Sequence, residues 1–263
     1  MTRTLLAAGG ATLQQQLLAS GRLLRGLTTQ RKMADAQPQL PQAVAFVGLG
    51  AMGVGIAGNL HAGLVSQGGA ALTVWNRTAA VAQKHAADHG TVAVAELTEV
   101  AAADVIVSCL PTSAQVRDVA TTLAPQLKSG TLWIDCTSGE PVATRAIASE
   151  ILSPAGVALV DCPVSGGPSG AASGQLTAMV GGEPEAVARA TSLISLFAKK
   201  NTVPCGGLGC ACAVKSVNNA LNVSHLALVR FSHQEAAPLR RLLLIPLIPA
   251  CPPLPPLAWH CSI

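Results

Sequence analysis

The sequence predicts an α/β fold organised on a parallel sheet, and three observations carry that prediction. Strand-like apolar runs alternate with segments long enough for helices. The chain of 263 residues is half hydrophobic but only 2% aromatic, with no Tyr, so its core must be aliphatic, as in many parallel sheets. The first strand-like run, Val44 to Gly48, opens directly into Gly48-Leu-Gly50-Ala-Met-Gly53 and then into residues that can continue as a helix. Strand, glycine turn and helix in that order form the context in which G-x-G-x-x-G binds a dinucleotide. Gly48 permits the tight turn, Gly50 lets the backbone approach a pyrophosphate, and Gly53 lets the helix pack on its strand. The helix N-terminus then offers N–H groups to the phosphates.

In chain order, strands are expected at 71–75, 104–110, 131–136 and 157–160, and helices at 52–65, 79–89, 113–124 and 142–152. This alternation implies βαβ units with right-handed crossovers. A further strand at 175–180 precedes a helix that starts after Gly182 with Pro184 in its first turn, and a strand at 201–204 closes this half.

Residues 1–41 read as a leader. Their first 34 positions hold five Arg or Lys residues and no acid, and the segment ends in QPQLPQ. That composition suits a transit peptide, mitochondrial in preference to plastid; a start at Met33 would remove most of it and leave the protein cytoplasmic. The rest of the chain is close to neutral and shows no clustered Lys and Arg, so no nucleic-acid partner is expected. No run of about 18 apolar residues lacks a charge or a proline, so no membrane span is expected. Cys109, Cys136 and Cys162 follow apolar strand-like runs and read as small buried thiols. Cys205, Cys210 and Cys212 do not form a paired C-x-x-C framework, and no metal is expected.

Cofactor type turns on the end of the second strand, Asn76-Arg77-Thr78. NAD-binding chains place an acid there for the ribose 2′-hydroxyl. A guanidinium instead forks to a phosphate, so Arg77 points to NADP rather than NAD. Asp161-Cys-Pro-Val-Ser165-Gly166-Gly167 lies just past a strand, where ligands of open α/β sheets bind, and Ser165 with neighbouring N–H groups suits a carboxylate or a plain turn. Downstream, Lys215 and Asn219 lie four residues apart on one helix face, with Asn218 beside them. A partly desolvated lysine beside an oxidised nicotinamide has a lowered pKa, which suits proton transfer near neutrality.

These motifs together resemble the β-hydroxyacid dehydrogenases, the group that includes 3-hydroxyisobutyrate dehydrogenase and the glyoxylate and succinic semialdehyde reductases. GLGAMG at 48–53, Asn59-Leu60, NRT at 76–78, Ser108-Cys-Leu-Pro111, DCPVSGG at 161–167 and KSVNN at 215–219 occur in family order, across about 70% of the chain. The resemblance implies a Rossmann-like NADP domain over 42–204, joined through a catalytic helix at 205–229 to an all-helical domain. It implies cofactor contacts from Gly48, Leu49, Gly50, Ala51, Met52, Gly53, Asn76, Arg77, Thr78, Leu110 and Pro111. It also implies that Lys215 is the acid–base group, that Asn219 orients lysine and substrate, and that Ser165, Gly166, Gly167 and Asn218 bind the substrate. The implied reaction is hydride transfer between a small hydroxy acid and its aldehyde or keto acid, without a metal.

Two departures stand out. Ala211 occupies the last glycine of the family's G-x-x-G-x-G approach to the catalytic helix, and residues 230–263 form a Pro- and Leu-rich tail where the family continues with helices that enclose substrate and build the dimer. The prolines of this tail, beginning with Pro238, are expected to forbid a long helix there. The helical domain therefore reads as truncated, and a family-type homo-oligomer as incomplete. Two further readings stay open: a remnant that binds NADP without turnover, and an interaction protein using the tail as a polyproline ligand.

Overall fold

The computed structural model describes residues 41–243, with side chains described up to Arg230. The expected leader, but for residue 41, the expected alternative start at Met33 and residues 244–263 of the proline-rich tail lie outside the described residues. Strand β1 (Val44–Val47) is fully buried and lies between β2 (Thr73–Trp75) and β4 (Val105–Ser108). With β3 (Val92–Ala93), β5 (Leu132–Asp135) and β6 (Ala158–Asp161) the order is β3-β2-β1-β4-β5-β6, all parallel. The chain reverses direction across the sheet between β1 and β4, the switch point at which doubly wound sheets bind ligands.

The sheet is sandwiched between two apolar layers. One contains Phe46, Ile56, Leu60, Leu64 and Phe197, and the other contains Val47, Ile106, Val116, Leu123, Trp133 and Ile147. Helix α1 (Gly53–Ser66) follows the glycine turn, and α2 (Ala79–His89) follows β2. Helix α3 (Ser113–Leu123) starts with a reciprocal cap between Thr112 and Gln115. Helix α4 (Pro141–Ile147) is α-helical for only seven residues, then passes through a π turn at Ala148–Leu152 and a 3₁₀ turn at Ser153–Ala155 that carries Pro154.

The parallel sheet expected from the sequence is present from β3 across to β6, and its far edge carries antiparallel pairs. Strand β8 (Thr177–Gly181) runs antiparallel to β6 and to β7 (Val164–Ser165), while β9 (Asn201–Gly206) returns parallel to β8. The reason is the short helix α5 (Gly167–Ser173) between β7 and β8, which turns the chain back and leaves no full crossover. Helix α6 (Pro184–Phe197) has Glu183 as N-cap and Pro184 in its first turn, and its Leu193, Ile194 and Phe197 are buried in the core. Strand β3, strand β7 and α5 have no counterpart in the sequence reading, since two-residue strands and a Gly-Ser-rich helix lack a periodic apolar signal.

One expectation is overturned at the C-terminal side. Helix α7 spans Cys210–Leu243 and carries Pro238 within it, so the helix does not stop at 229. A proline inside a helix costs about 3 kcal/mol relative to alanine and removes one hydrogen bond, yet the helix runs through Pro238. From Val214 onward this helix exposes Val214, Val217, Leu221 and Leu228.

Candidate active site

The glycine turn is shaped by space as much as by backbone angle. Gly48 has φ +99°, a conformation that side-chain-bearing residues avoid, and a Cβ there would strike the Cys109 carbonyl. A Cβ on Gly53 would strike the Gly48 carbonyl and press on Phe46 Cε1 at 3.4 Å, so α1 sits directly against β1. Gly50 differs from both: no atom lies within 4 Å of a Cβ built there. Its missing side chain leaves open space at the mouth of the turn, in front of a helix whose first turn has no side-chain cap and no acid. That open cradle fits a dinucleotide pyrophosphate, whose charge the free N–H groups and helix dipole favour.

Asn76 staples the turn to the end of β2. Its Oδ1 accepts the Leu49 N–H at 3.0 Å and its Nδ2 donates to the Thr78 carbonyl at 3.1 Å. Leu49 itself buries its side chain in the core, so only its backbone belongs to the turn. Arg77 is exposed, lines the cleft and makes no ion pair among the described residues.

One cleft of about 540 Å³ joins these elements to the base of α7. Gly48, Gly50, Ala51, Met52, Gly53, Asn76, Arg77, Thr78, Leu110, Pro111, Gly167, Lys215 and Asn219 line it. The structure thus brings together thirteen of the seventeen residues singled out from the sequence. Leu49, Ser165, Gly166 and Asn218 do not line it. Ser165 Oγ donates instead to Asn218 Oδ1 at 3.2 Å, tying β7 to α7 at the edge of the cleft. Asn59, on α1, donates to the carbonyls of Ala171 and Ala172 at 2.9 and 3.1 Å and so fixes α5, and with it Gly167, against α1.

Lys215 is only 9% exposed and has no hydrogen bond or ion pair among the described residues. Burial pushes its pKa below the ordinary lysine value, because desolvation disfavours the ammonium. Its place follows from the start of α7: Asp161, the last residue of β6, accepts the N–H of Gly209 and of Cys212, each at 2.9 Å. The floor beneath is a second buried network. Trp133 Nε1 donates to Ser108 Oγ at 2.8 Å, Ser108 donates to Asp135 Oδ1 at 2.8 Å, and the Thr137 N–H donates to the same oxygen at 3.1 Å. Thr137 Oγ1 in turn accepts the Leu110 N–H at 3.0 Å, which sets the Leu110-Pro111 wall. Burial raises the Asp135 carboxyl to about 6, against the pull of those hydrogen bonds. Burial likewise pushes the Cys109 thiol up to about 12. The Cys136 thiol is raised chiefly by its hydrogen bond to Cys162 and then by burial. Such thiols are poor nucleophiles.

Asp135, Thr137 and the capping role of Asp161 escape the sequence reading. A usable signal was present: Asp-Cys closes two strands in succession, at 135–136 and at 161–162.

Residues 43–207 match the family described as the NAD binding domain of 6-phosphogluconate dehydrogenase. The chain belongs to the β-hydroxyacid dehydrogenase family. An NAD-dependent L-serine dehydrogenase of Pseudomonas aeruginosa is 34% identical over 181 residues, covering 68% of this chain and 58% of that protein. The mitochondrial 3-hydroxyisobutyrate dehydrogenase of Bos taurus is 35% identical over 195 residues, covering 73% of this chain and 54% of that protein. The solved structure of Mycobacterium tuberculosis 3-hydroxyisobutyrate dehydrogenase with L-serine superposes with a TM-score of 0.67 at 31% identity, covering 78% of this chain and 66% of that one. The chain spans somewhat more than half the length of the curated relatives it matches.

Proposed function

We propose that this family member is an NADP-dependent oxidoreductase that interconverts a small hydroxy acid and its aldehyde or keto acid, with Lys215 as the acid–base group. The observation that carries the reading is one of juxtaposition: a buried lysine, without a polar partner among the described residues, shares a cleft with an open glycine cradle. The dinucleotide, held by the glycine turn, supplies the nicotinamide carbon that takes or returns the hydride. Lys215 Nζ, uncharged at the start of oxidation, takes the proton of the substrate hydroxyl, and as the ammonium it returns that proton in reduction. Its burial lowers the cost of the neutral amine. Asn219, one turn further along α7, orients the substrate beside Lys215.

The substrate carboxylate is assigned to Ser165, Gly166 and Gly167, with Asn218 as a further substrate-binding residue. Taking it requires the Ser165 hydroxyl to turn from Asn218 Oδ1 to the ligand. The choice of NADP rests on Arg77, a guanidinium without an ion-pair partner among the described residues, at the end of β2, where the sequence offers no acid for a 2′-hydroxyl. Residues 1–40 are assigned to organellar import, in keeping with the mitochondrial relatives.

Purified full chain supplied with 3-hydroxyisobutyrate and NADP tests the reading. Lys215→Ala is expected to cut turnover by about 10³-fold or more while NADP affinity stays within about twofold. Retained turnover would refute the role. A second reading, cofactor binding without catalysis, is favoured by the exposed apolar residues Val214, Val217, Leu221 and Leu228 on α7. It predicts NADP binding and no turnover with 3-hydroxyisobutyrate, glyoxylate or succinic semialdehyde.

A further inference from the structure

We infer that Asp161 is a positioning residue: it sets where along its axis helix α7 begins, and so where Lys215 stands in the cleft. The inference rests on the reading of Lys215 just given. Asp161 is the last residue of β6, paired with Asp135 of β5 on one side and Gly181 of β8 on the other. It is fully buried, and its two oxygens take separate donors, Oδ1 the Gly209 N–H and Oδ2 the Cys212 N–H. A buried carboxylate held by two strands thus spans the first turn of the helix, whose opening N–H groups have no partner within the helix itself.

The rest of the socket is equally tight. A Cβ on Gly181 would come within 2.5 Å of Asp161 Oδ1, 2.9 Å of the Gly207 carbonyl and 3.1 Å of the Ala211 nitrogen. Helix α4 closes the other side, with Thr144 Oγ1 3.7 Å from Cys212 Sγ. Lys215 lies three residues beyond Cys212 and makes no polar contact of its own among the described residues, so its location is inherited from the helix backbone. Ala211, where the family carries glycine, fits this socket fully buried without displacing the two bonds.

The test uses Asp161→Asn in the full chain. An amide of the same shape keeps one acceptor oxygen but turns an NH₂ toward the other N–H, so one of the two bonds is lost. Reaction of Lys215 with acetic anhydride in the cofactor-free protein, measured by mass spectrometry against exposed Lys84 and Lys199, reads its placement without any turnover. The expected result is at least about a threefold rise in Lys215 acetylation with both reference lysines unchanged. Turnover of 3-hydroxyisobutyrate should fall about tenfold while KM and NADP affinity stay within about twofold, since displacement acts on the reacting geometry. A folded Asp161→Asn protein with parental Lys215 acetylation would overturn the inference. If that variant does not fold, Gly181→Ala crowds the same carboxylate while leaving it in place, and the same two outcomes decide. Should Lys215→Ala keep turnover while Asp161→Asn raises acetylation of Lys215, the catalytic reading falls and the positioning role stands.

Discussion

The glycine turn after β1 and the socket at the base of α7 border one cleft, yet they are built from different ranges of sequence. The turn draws most of its shape from six consecutive residues, 48–53, held from outside by Asn76 on the Leu49 N–H, the Trp75 carbonyl on the Gly48 N–H and the Cys109 carbonyl packed against Gly48. The socket gathers Thr144, Asp161, Gly181 and Cys212 from four separate elements, with Gly209 from the turn before α7. The first is thus mainly a local structure that its neighbours support, while the second exists only where separate elements meet. Within the turn itself there is a second contrast, between glycines that the fold needs and the one that the ligand needs.

The largest expected effect breaks that contrast or confirms it. Gly53→Val should destabilise the protein by about 4 kcal/mol or more, because its side chain has nowhere to go but into the Gly48 carbonyl and Phe46. Thermal melting measures this. Gly50→Val should leave the melting temperature within about 2 °C of the parent and weaken NADP binding by about 100-fold, since its side chain fills only the cradle. Equal loss of stability in the two variants would erase the distinction.

Between turn and socket, the Asp135 network supplies a smaller, pH-dependent effect. The folded protein holds the Asp135 proton up to about 6, above the ordinary value of 3.8, whereas the unfolded chain releases it near that ordinary value. Between those values the folded state binds more protons, so this group withdraws stability as pH rises and the penalty is complete above about 6. Asp135→Asn removes the ionisation and keeps an oxygen for the Ser108 and Thr137 donors. Urea unfolding should show the variant gaining roughly 2–3 kcal/mol relative to the parent between pH 4 and pH 7. A difference that does not change with pH would show that Asp135 is not the titrating group. The smallest effect lies at the rim: on the NADP reading proposed for Arg77, Arg77→Ala should weaken NADP binding about tenfold and leave NAD binding unchanged, because the guanidinium would meet only the 2′-phosphate.

Much of the sheet was legible because apolar strands separated by helix-length segments carry a strong periodic signal, and α2 falls on the expected 79–89. The reversal at β8 was not, since a strand of either direction shows the same apolar run and only the short α5 decides which way the chain returns. The tail's prolines, taken together, argue against a helix beyond 229, and α7 nevertheless continues through the first of them, Pro238, to Leu243, ahead of the next at Pro246. At the site, the loop around Ser165 gives no hint of the hydrogen bond that its hydroxyl makes to Asn218, 53 positions away.

The sequence by itself determined the glycine turn, the alternation that makes the sheet and the residue types of the cleft, because each depends on local spacing and on what a side chain is. Only the tertiary structure decided that Lys215 is buried beside that turn and that Asp161 holds the helix that carries it. Burial and hydrogen-bond pairing between residues 50 or more positions apart depend on how β6, β8 and α7 pack, and no window of sequence contains that packing.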